Sequence, residues 1–440
     1  MLFKQFVDDD LGCASYLIGC EEAGEAVVVD PAYAIEQYLD EAERRDMRIV
    51  RVLETHTHAD HVSGHGRLAL EHGVPVGVHP LAAPEYPFEP LADGQDLDVG
   101  NVRLRVIHTP GHRPEHCCFS VTDRTRADEP WLLLTGDSLF VGDAARPDLA
   151  VEAHEGAEGL FQSLQRLLEL ADGVEVYPGH VAGSLCGKGM SSKASTTIGF
   201  ERRFNPALAL ATVEMFMTRS AGRASTPRPP NMERIVGLNR GPFLARPAPF
   251  EELATTGDAA VLDVRPVESF LAGHVSGAVS VPVSGTSFAT RAGFVVPSEQ
   301  PVVLHASSPE EAQAAARGLQ SVGFLELRGY ALHPQADVRI EPVEVDELDA
   351  LLAYDAQLID VREADEREET PLPGSRHIPY RLIEAGAAGL PRDRTIVTIC
   401  ESGARAAVAA SILSARGLDA RPVVHGGFRD LRARLHAPAV

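Results

Sequence analysis

The chain has 440 residues, with 40 Lys and Arg against 63 Asp and Glu and a formal charge of −23 at pH 7. At roughly 150 residues per domain, that length predicts about three domains. Hydrophobic residues at 44% and charged residues at 23% exclude a disordered, collagen-like or disulfide-scaffold chain. The acidic balance argues against nucleic acid and anionic membrane as partners, so an anionic substrate needs a local basic pocket.

No run of about 18 apolar residues predicts a membrane span. The opening MLFKQFVDDD lacks the basic and apolar regions of a signal peptide and is too acidic for a transit peptide. Cys13, Cys20, Cys117, Cys118, Cys186 and Cys400 form no CxxC pair. They read as thiols in a reducing compartment, mostly core residues apart from Cys400, and the cytoplasm is the expected location.

In chain order, Ala26–Asp30 predicts a buried strand, Ile35–Arg45 a helix and Val50–Leu53 a second strand. Thr55-His56-Thr57-His58-Ala59-Asp60-His61 follows directly, with four possible metal ligands in six residues. Three further apolar runs each lead to another ligand type. They are Val102–Ile107 before Gly111-His112, Trp131–Leu134 before Gly136-Asp137, and Val174–Tyr177 before Gly179-His180. Loops at the ends of adjacent strands can bring such side chains to one point, and the neighbouring glycines let the backbone turn tightly. Ala157–Leu170 predicts a helix, and the α/β pattern runs to about residue 220. Ala224–Pro249, rich in Pro and Arg, predicts a linker or an extended wrapping segment.

An internal repeat follows. Val261-Leu262-Asp263-Val264-Arg265 recurs 97 residues later as Leu358-Ile359-Asp360-Val361-Arg362; His274-Val275 is echoed by His377-Ile378, and Gly329-Tyr330 by Gly426-Gly427-Phe428. Two copies of one small α/β domain are expected.

The set His56, His58, Asp60 and His61 resembles the HxHxDH signature of the metallo-β-lactamase superfamily, over about residues 1–220. The resemblance implies a metal site and leaves two chemistries open. Two zinc ions would be held by His56, His58 and His112 and by Asp60, His61 and His180, with Asp137 bridging and water activated. One iron(II) per chain would instead be held by His56, His112 and Asp137, with three positions open. His58, Asp60, His61 and His180 would then surround the site or lie vacant. The stretches Gly136-Asp137-Ser138-Leu139-Phe140 with Arg146-Pro147-Asp148, and Ser195 through Pro206, resemble the persulfide dioxygenase branch and favour iron. That branch oxidises a thiol persulfide to sulfite and free thiol. Arg146, Lys188, Lys193 and Arg202 are candidate substrate-binding residues.

Thr395–Ile399 predicts a strand that ends at Cys400-Glu401-Ser402-Gly403-Ala404-Arg405, before a helical Ala406–Ala415. A cysteine between a strand and a helix start receives backbone N–H groups, and Arg405 adds charge; both favour the nucleophilic thiolate. Glu401, Ser402, Gly403 and Ala404 form the cradle. With Asp360-Val361-Arg362 and His377-Ile378-Pro379, this resembles a rhodanese, over about residues 342–435. The resemblance implies sulfur carriage as a Cys400 persulfide, with Cys400 and Arg405 catalytic. The Cys-x4-Arg loop is one residue shorter than the phosphatase loop, which favours sulfur. No cysteine occurs in residues 221–399, so the first copy cannot carry persulfide and is expected to be structural, with His305 as a less favoured catalyst.

The resulting expectation is an α/β multi-domain chain. An αββα metallo-β-lactamase sandwich with linker spans residues 1–240, a degenerate rhodanese-like domain 245–335 and an active one 342–440. The expected function is a fused, iron-dependent persulfide dioxygenase and sulfurtransferase. Its partners would be a persulfide of glutathione, coenzyme A or a bacterial thiol, thiosulfate or sulfite, and molecular oxygen. A homo-oligomer, dimer or tetramer, is expected. The rival readings are a zinc thioester hydrolase fused to a sulfurtransferase and a non-catalytic persulfide sensor.

Overall fold

The computed structural model of the chain describes residues 1–146, 153–181, 190–210, 212–221 and 227–435. It divides into two compact units, Met1–Pro247 with Gln320–Gly323, and Ala248–Leu319 with Phe324–Val440. Among the described residues no helix is long and apolar enough to cross a membrane.

Two six-stranded sheets build the first unit. One runs in the order Leu2–Val7, Ala14–Cys20, Glu25–Val29, Arg48–Leu53, Val76–Val78, Glu89–Pro90. The other runs Thr196–Thr197, Glu175–Pro178, Leu132–Gly136, Cys117–Asp123, Val102–His108, Asp96–Val99. Side-chain alternation sorts the layers. Tyr16, Ile18, Val27, Val29 and Leu53 meet Leu104, Val106, Phe119, Val121 and Leu134 between the sheets. Leu17, Val28 and Val52 face the other way, onto Tyr38 and Ala42 of the helix Glu36–Arg44. Cys118, Leu133 and Val176 pack on Leu160, Leu164 and Leu167 of the helix Ala153–Leu167. The unit is therefore an αββα sandwich, and strands covered on both faces, such as Ala14–Cys20, are buried throughout.

Strand direction positions the site. Val102–His108 is antiparallel to Cys117–Asp123, which is antiparallel to Leu132–Gly136, which is parallel to Glu175–Pro178. Two reversals restore direction, so His112, Asp137 and His180 leave the sheet at the same end. The Cys117 N–H donates to the Thr55 carbonyl at 2.7 Å, which ties the histidine-rich loop of the other sheet to that end.

The expected linker is corrected in part. Met232–Arg240 is a helix of the first unit rather than an extended connection. Its Asn239 is buried, donates to the carbonyls of His58 (3.0 Å) and His61 (2.8 Å), and accepts from the Ser63 N–H (2.9 Å). The segment clamps the histidine-rich loop.

The second unit holds two four-stranded parallel sheets of the same order. They are Val279–Ser280, Ala260–Asp263, Val302–His305, Leu327–Ala331, and Arg376–His377, Gln357–Asp360, Ile396–Ile399, Ala420–Pro422. The repeated Asp-Val-Arg motif makes the same ion pair on a buried aspartate in both. Arg265 meets Asp263 at 2.6 and 2.9 Å, and Arg362 meets Asp360 at 2.7 and 3.0 Å.

Candidate metal centre and sulfur-transfer loop

His56, His112 and Asp137 are buried, and their ligand atoms lie within 4.8 Å of one another. Their hydrogen bonds fix the ring orientations. The Thr55 hydroxyl donates to Asp30 Oδ2 at 2.8 Å, so it accepts from His56 Nδ1–H at 2.9 Å and leaves the Nε2 lone pair free. His112 Nδ1–H donates to the Arg146 carbonyl at 3.2 Å, which frees its Nε2 likewise. Burial, reinforced for His56 by the surrounding rings, holds both histidines below the usual range, in the neutral form that binds metal.

Asp137 is ionised. Burial opposes this, but the His180 ring overrides it and donates from Nδ1 to Oδ1 at 2.7 Å. Among the described residues Asp137 Oδ2 is buried without a hydrogen-bond partner, 3.7 Å from His112 Nε2. A buried anionic oxygen left bare is costly unless a cation meets it. Two neutral imidazoles and this carboxylate fit a divalent metal.

Gly136 is needed here. It has φ +45°, and a Cβ there would lie 2.7 Å from the ring of His116 and from the Thr55 hydroxyl. His116, buried and not singled out from sequence, accepts the Asp137 N–H at 3.0 Å and bonds Thr109 at 2.8 Å. It holds the backbone that aims Asp137.

The other expected ligands separate. His58 Nε2 lies 3.1 Å from Glu54 and 3.2 Å from Asp30. Burial disfavours its charge, but the two carboxylates raise it to about 9. Asp30 and Glu54 were not legible as partners, and Asp30 sits at φ +51°, a strained conformation held by its bonds to Thr55. Asp60 and His61 form a second group with Cys13, whose sulfur lies 3.3 Å from His180, 3.5 Å from His61 and 3.7 Å from Asp60. Cys13 is thus no core residue, unlike the buried Cys20, Cys117 and Cys118. His180 also meets Asp60 at 2.6 Å and so links both groups.

Of the four candidate substrate-binding residues, Arg202 and Arg146 are engaged within the fold. Arg202 donates to the carbonyls of Leu168 (2.6 Å) and Leu170 (3.0 Å) and pairs with Asp172, so it secures a helix end. Arg146 is buried, and its guanidinium reaches the Pro227 carbonyl at 3.3 Å. Its backbone carbonyl orients His112. Lys193 is exposed. Lys188, Asp148 and Cys186 lie outside the described residues.

In the second repeat Cys400 ends the strand Ile396–Ile399 and is buried. The Gly403 N–H points at its sulfur (3.2 Å), and the helix Ala404–Ala415 begins at once. Gly403 has φ +92°, and a Cβ would stand 2.8 Å from the backbone of Val424, so only glycine closes this loop. Arg405 forms a two-pronged pair with Glu366.

Strand register explains the first repeat. His305 stands opposite Asp263 as Ile399 stands opposite Asp360, so Ala306 follows where Cys400 does. The Ser307 N–H is taken by the Glu311 carboxylate, and the Glu311 N–H donates to Ser308. The loop has become an ordinary capped helix start. His305 is buried 3.1 Å from Asp263 and supports the fold.

Residues 8–180 match the family model of the metallo-beta-lactamase superfamily. Residues 247–331 and 344–434 each match that of the rhodanese-like domain. A solved metallo-beta-lactamase from Staphylococcus aureus subsp. aureus COL is 30% identical with a TM-score of 0.68, over 75% of this chain and 98% of that one. The mitochondrial persulfide dioxygenase ETHE1 of Bos taurus is 26% identical over 242 residues, 54% of this chain and 87% of that protein. The hydroxyacylglutathione hydrolase of Nitrosococcus oceani is 33% identical over 172 residues, 38% of this chain and 61% of that protein. The sandwich, its buried metal-ligand cluster and these matches together establish that the chain belongs to the metallo-beta-lactamase superfamily and carries two rhodanese-like domains after that fold.

Proposed function

We propose that the chain is a bifunctional enzyme of sulfur metabolism, an iron-dependent persulfide dioxygenase joined to a sulfurtransferase. The observation that carries the first half is the ligand set. Two neutral histidines and the bare Asp137 oxygen converge, while His58 is drawn off by Asp30 and Glu54. That is a two-histidine, one-carboxylate arrangement, the geometry of non-haem iron(II) oxygenases. When bound, iron(II) there supplies the redox chemistry by which dioxygen and water convert a thiol persulfide into thiol, sulfite and two protons. His56, His112 and Asp137 would hold it, Thr55 and the Arg146 carbonyl orient the rings, and His116 and His180 orient the carboxylate.

Cys400 carries the second half. Its thiolate would take the outer sulfur of a donor and pass it on, in the N–H cradle of Gly403 and the helix start. The thiol would be glutathione, coenzyme A or a bacterial thiol, in a reducing cytoplasm. The nucleophile-free first repeat suits an assembly role in a homo-oligomer.

One observation favours a second reading. Cys13, Asp60 and His61 could take a second metal beside the first, and the hydroxyacylglutathione hydrolase likeness makes a zinc thioester hydrolase the rival. Metal analysis with oxygen uptake on glutathione persulfide separates them. One iron per chain, oxygen consumed and sulfite formed are expected. Two zincs with no uptake would overturn the dioxygenase reading.

A further inference from the structure

Arg405 is the loop's only base, yet its charge is already answered. Both its terminal nitrogens meet both Glu366 oxygens. Glu366 cannot swing away freely, because it also accepts the Glu363 N–H at 2.9 Å in a reciprocal helix cap. The pair is only partly wet, with Arg405 20% and Glu366 35% exposed, so screening by water is incomplete. The loop's own acid, Glu401, lies 3.5 Å from Arg429. Two bases are thus balanced by two acids. Beyond these pairs, the loop itself offers an anion at Cys400 the N–H cradle and the start of a 12-residue helix, roughly half a unit charge.

We propose that Glu366 sets the donor preference of this loop: by cancelling Arg405, it makes the loop favour a thiol persulfide, with at most one charge at its sulfur end, over doubly charged thiosulfate. The inference rests on the reading of the Cys400 domain as a sulfurtransferase. With a persulfide, the Cys400 thiolate attacks the outer sulfur of R–S–SH, the donor S–S bond breaks, and R–S⁻ leaves Cys400 as its persulfide. With thiosulfate the same attack expels sulfite, and the loop must hold two negative charges near the Glu366 carboxylate throughout. Glu366 acts through Arg405 and is a positioning residue.

The test is the second-order rate of loading one sulfur onto Cys400 in the full chain, read by mass spectrometry, with thiosulfate and with glutathione persulfide. Both donors are run on the same sample, so the ratio of the two rates is independent of the folded fraction. Glu366→Gln is expected to raise the thiosulfate-to-persulfide ratio about tenfold, the order of one poorly screened charge. Glu366→Asp, which keeps the charge, is expected to return the ratio toward that of the unaltered chain. A ratio that is unchanged or lower in Glu366→Gln would overturn the inference and leave the sulfurtransferase reading standing. Failure of both donors to load the unaltered chain would overturn that reading and the inference with it.

Discussion

Asp137 has two oxygens in different situations. Oδ1 accepts a hydrogen bond from His180, and Oδ2 is buried with no donor among the described residues. It is also the only anion among the three converging ligands, so its loss removes both a donor and the charge that balances a divalent cation. Asp137→Ala is expected to lose the metal and oxygen uptake while Cys400 still loads sulfur. Metal analysis and the two assays check this, and iron retained in full would reject the triad. The triad residues were readable because each follows an apolar run and a turn. What fixes them was not. Thr55, His116 and the Arg146 carbonyl act through the direction of one hydrogen bond, which residue spacing does not encode. Arg202 shows the converse: a basic residue in a family-like stretch spends its donors on the carbonyls of a helix end.

At the scale of elements, the repeated Asp-Val-Arg was legible as a repeat, while its work was visible only in three dimensions. Asp360 accepts from Arg362 and from Arg367, with Asp360 and Arg362 both buried. Removing the shared acid strands a buried guanidinium, so Asp360→Asn should cost about 3 kcal/mol. A denaturant melt of the second unit's transition in the full chain checks this. The pH dependence has a definite sign. Burial opposes the Asp360 charge, but the Arg362 bonds hold its pKa below the ordinary value. Its stabilisation is therefore whole above the unfolded value of about 3.9 and is lost as pH falls through the lower folded one. The gap between the two chains should close in that acid range, and a gap unchanged there would refute the assignment. Sandwich strands such as Glu25–Val29 could be read because burial on both faces demands a continuous apolar run, here Ala26 to Val29. Met232–Arg240 could not, because prolines flank a short helix whose decisive side chain is polar: Asn239 is there to satisfy the carbonyls of a loop about 180 residues away in sequence.

Across the whole molecule, the two proposed chemistries would meet in sulfite. The first site would release sulfite, and sulfite accepts sulfur from a Cys400 persulfide to become thiosulfate, which restores the thiolate with no further oxidant. Covalent linkage raises the effective concentration of that sulfite at Cys400. Continued loading of Cys400 by persulfide, with sulfite supplied by the first site, would carry the second step toward thiosulfate. The unaltered chain, given glutathione persulfide and oxygen, should therefore form thiosulfate and consume two persulfides for each oxygen, one oxidised and one loaded onto Cys400. Cys400→Ser should give sulfite alone and one persulfide for each oxygen, with the rate of oxygen uptake at saturating persulfide largely retained. Oxygen electrode traces with sulfite and thiosulfate quantified by chromatography decide the matter. Loss of oxygen uptake in Cys400→Ser would mean that the first site depends on the Cys400 thiol, and the two-site division would fail. Thiosulfate formed at full yield without Cys400 would place the second sulfur transfer elsewhere, with Cys13, held against His61 and His180, as the next thiol to replace.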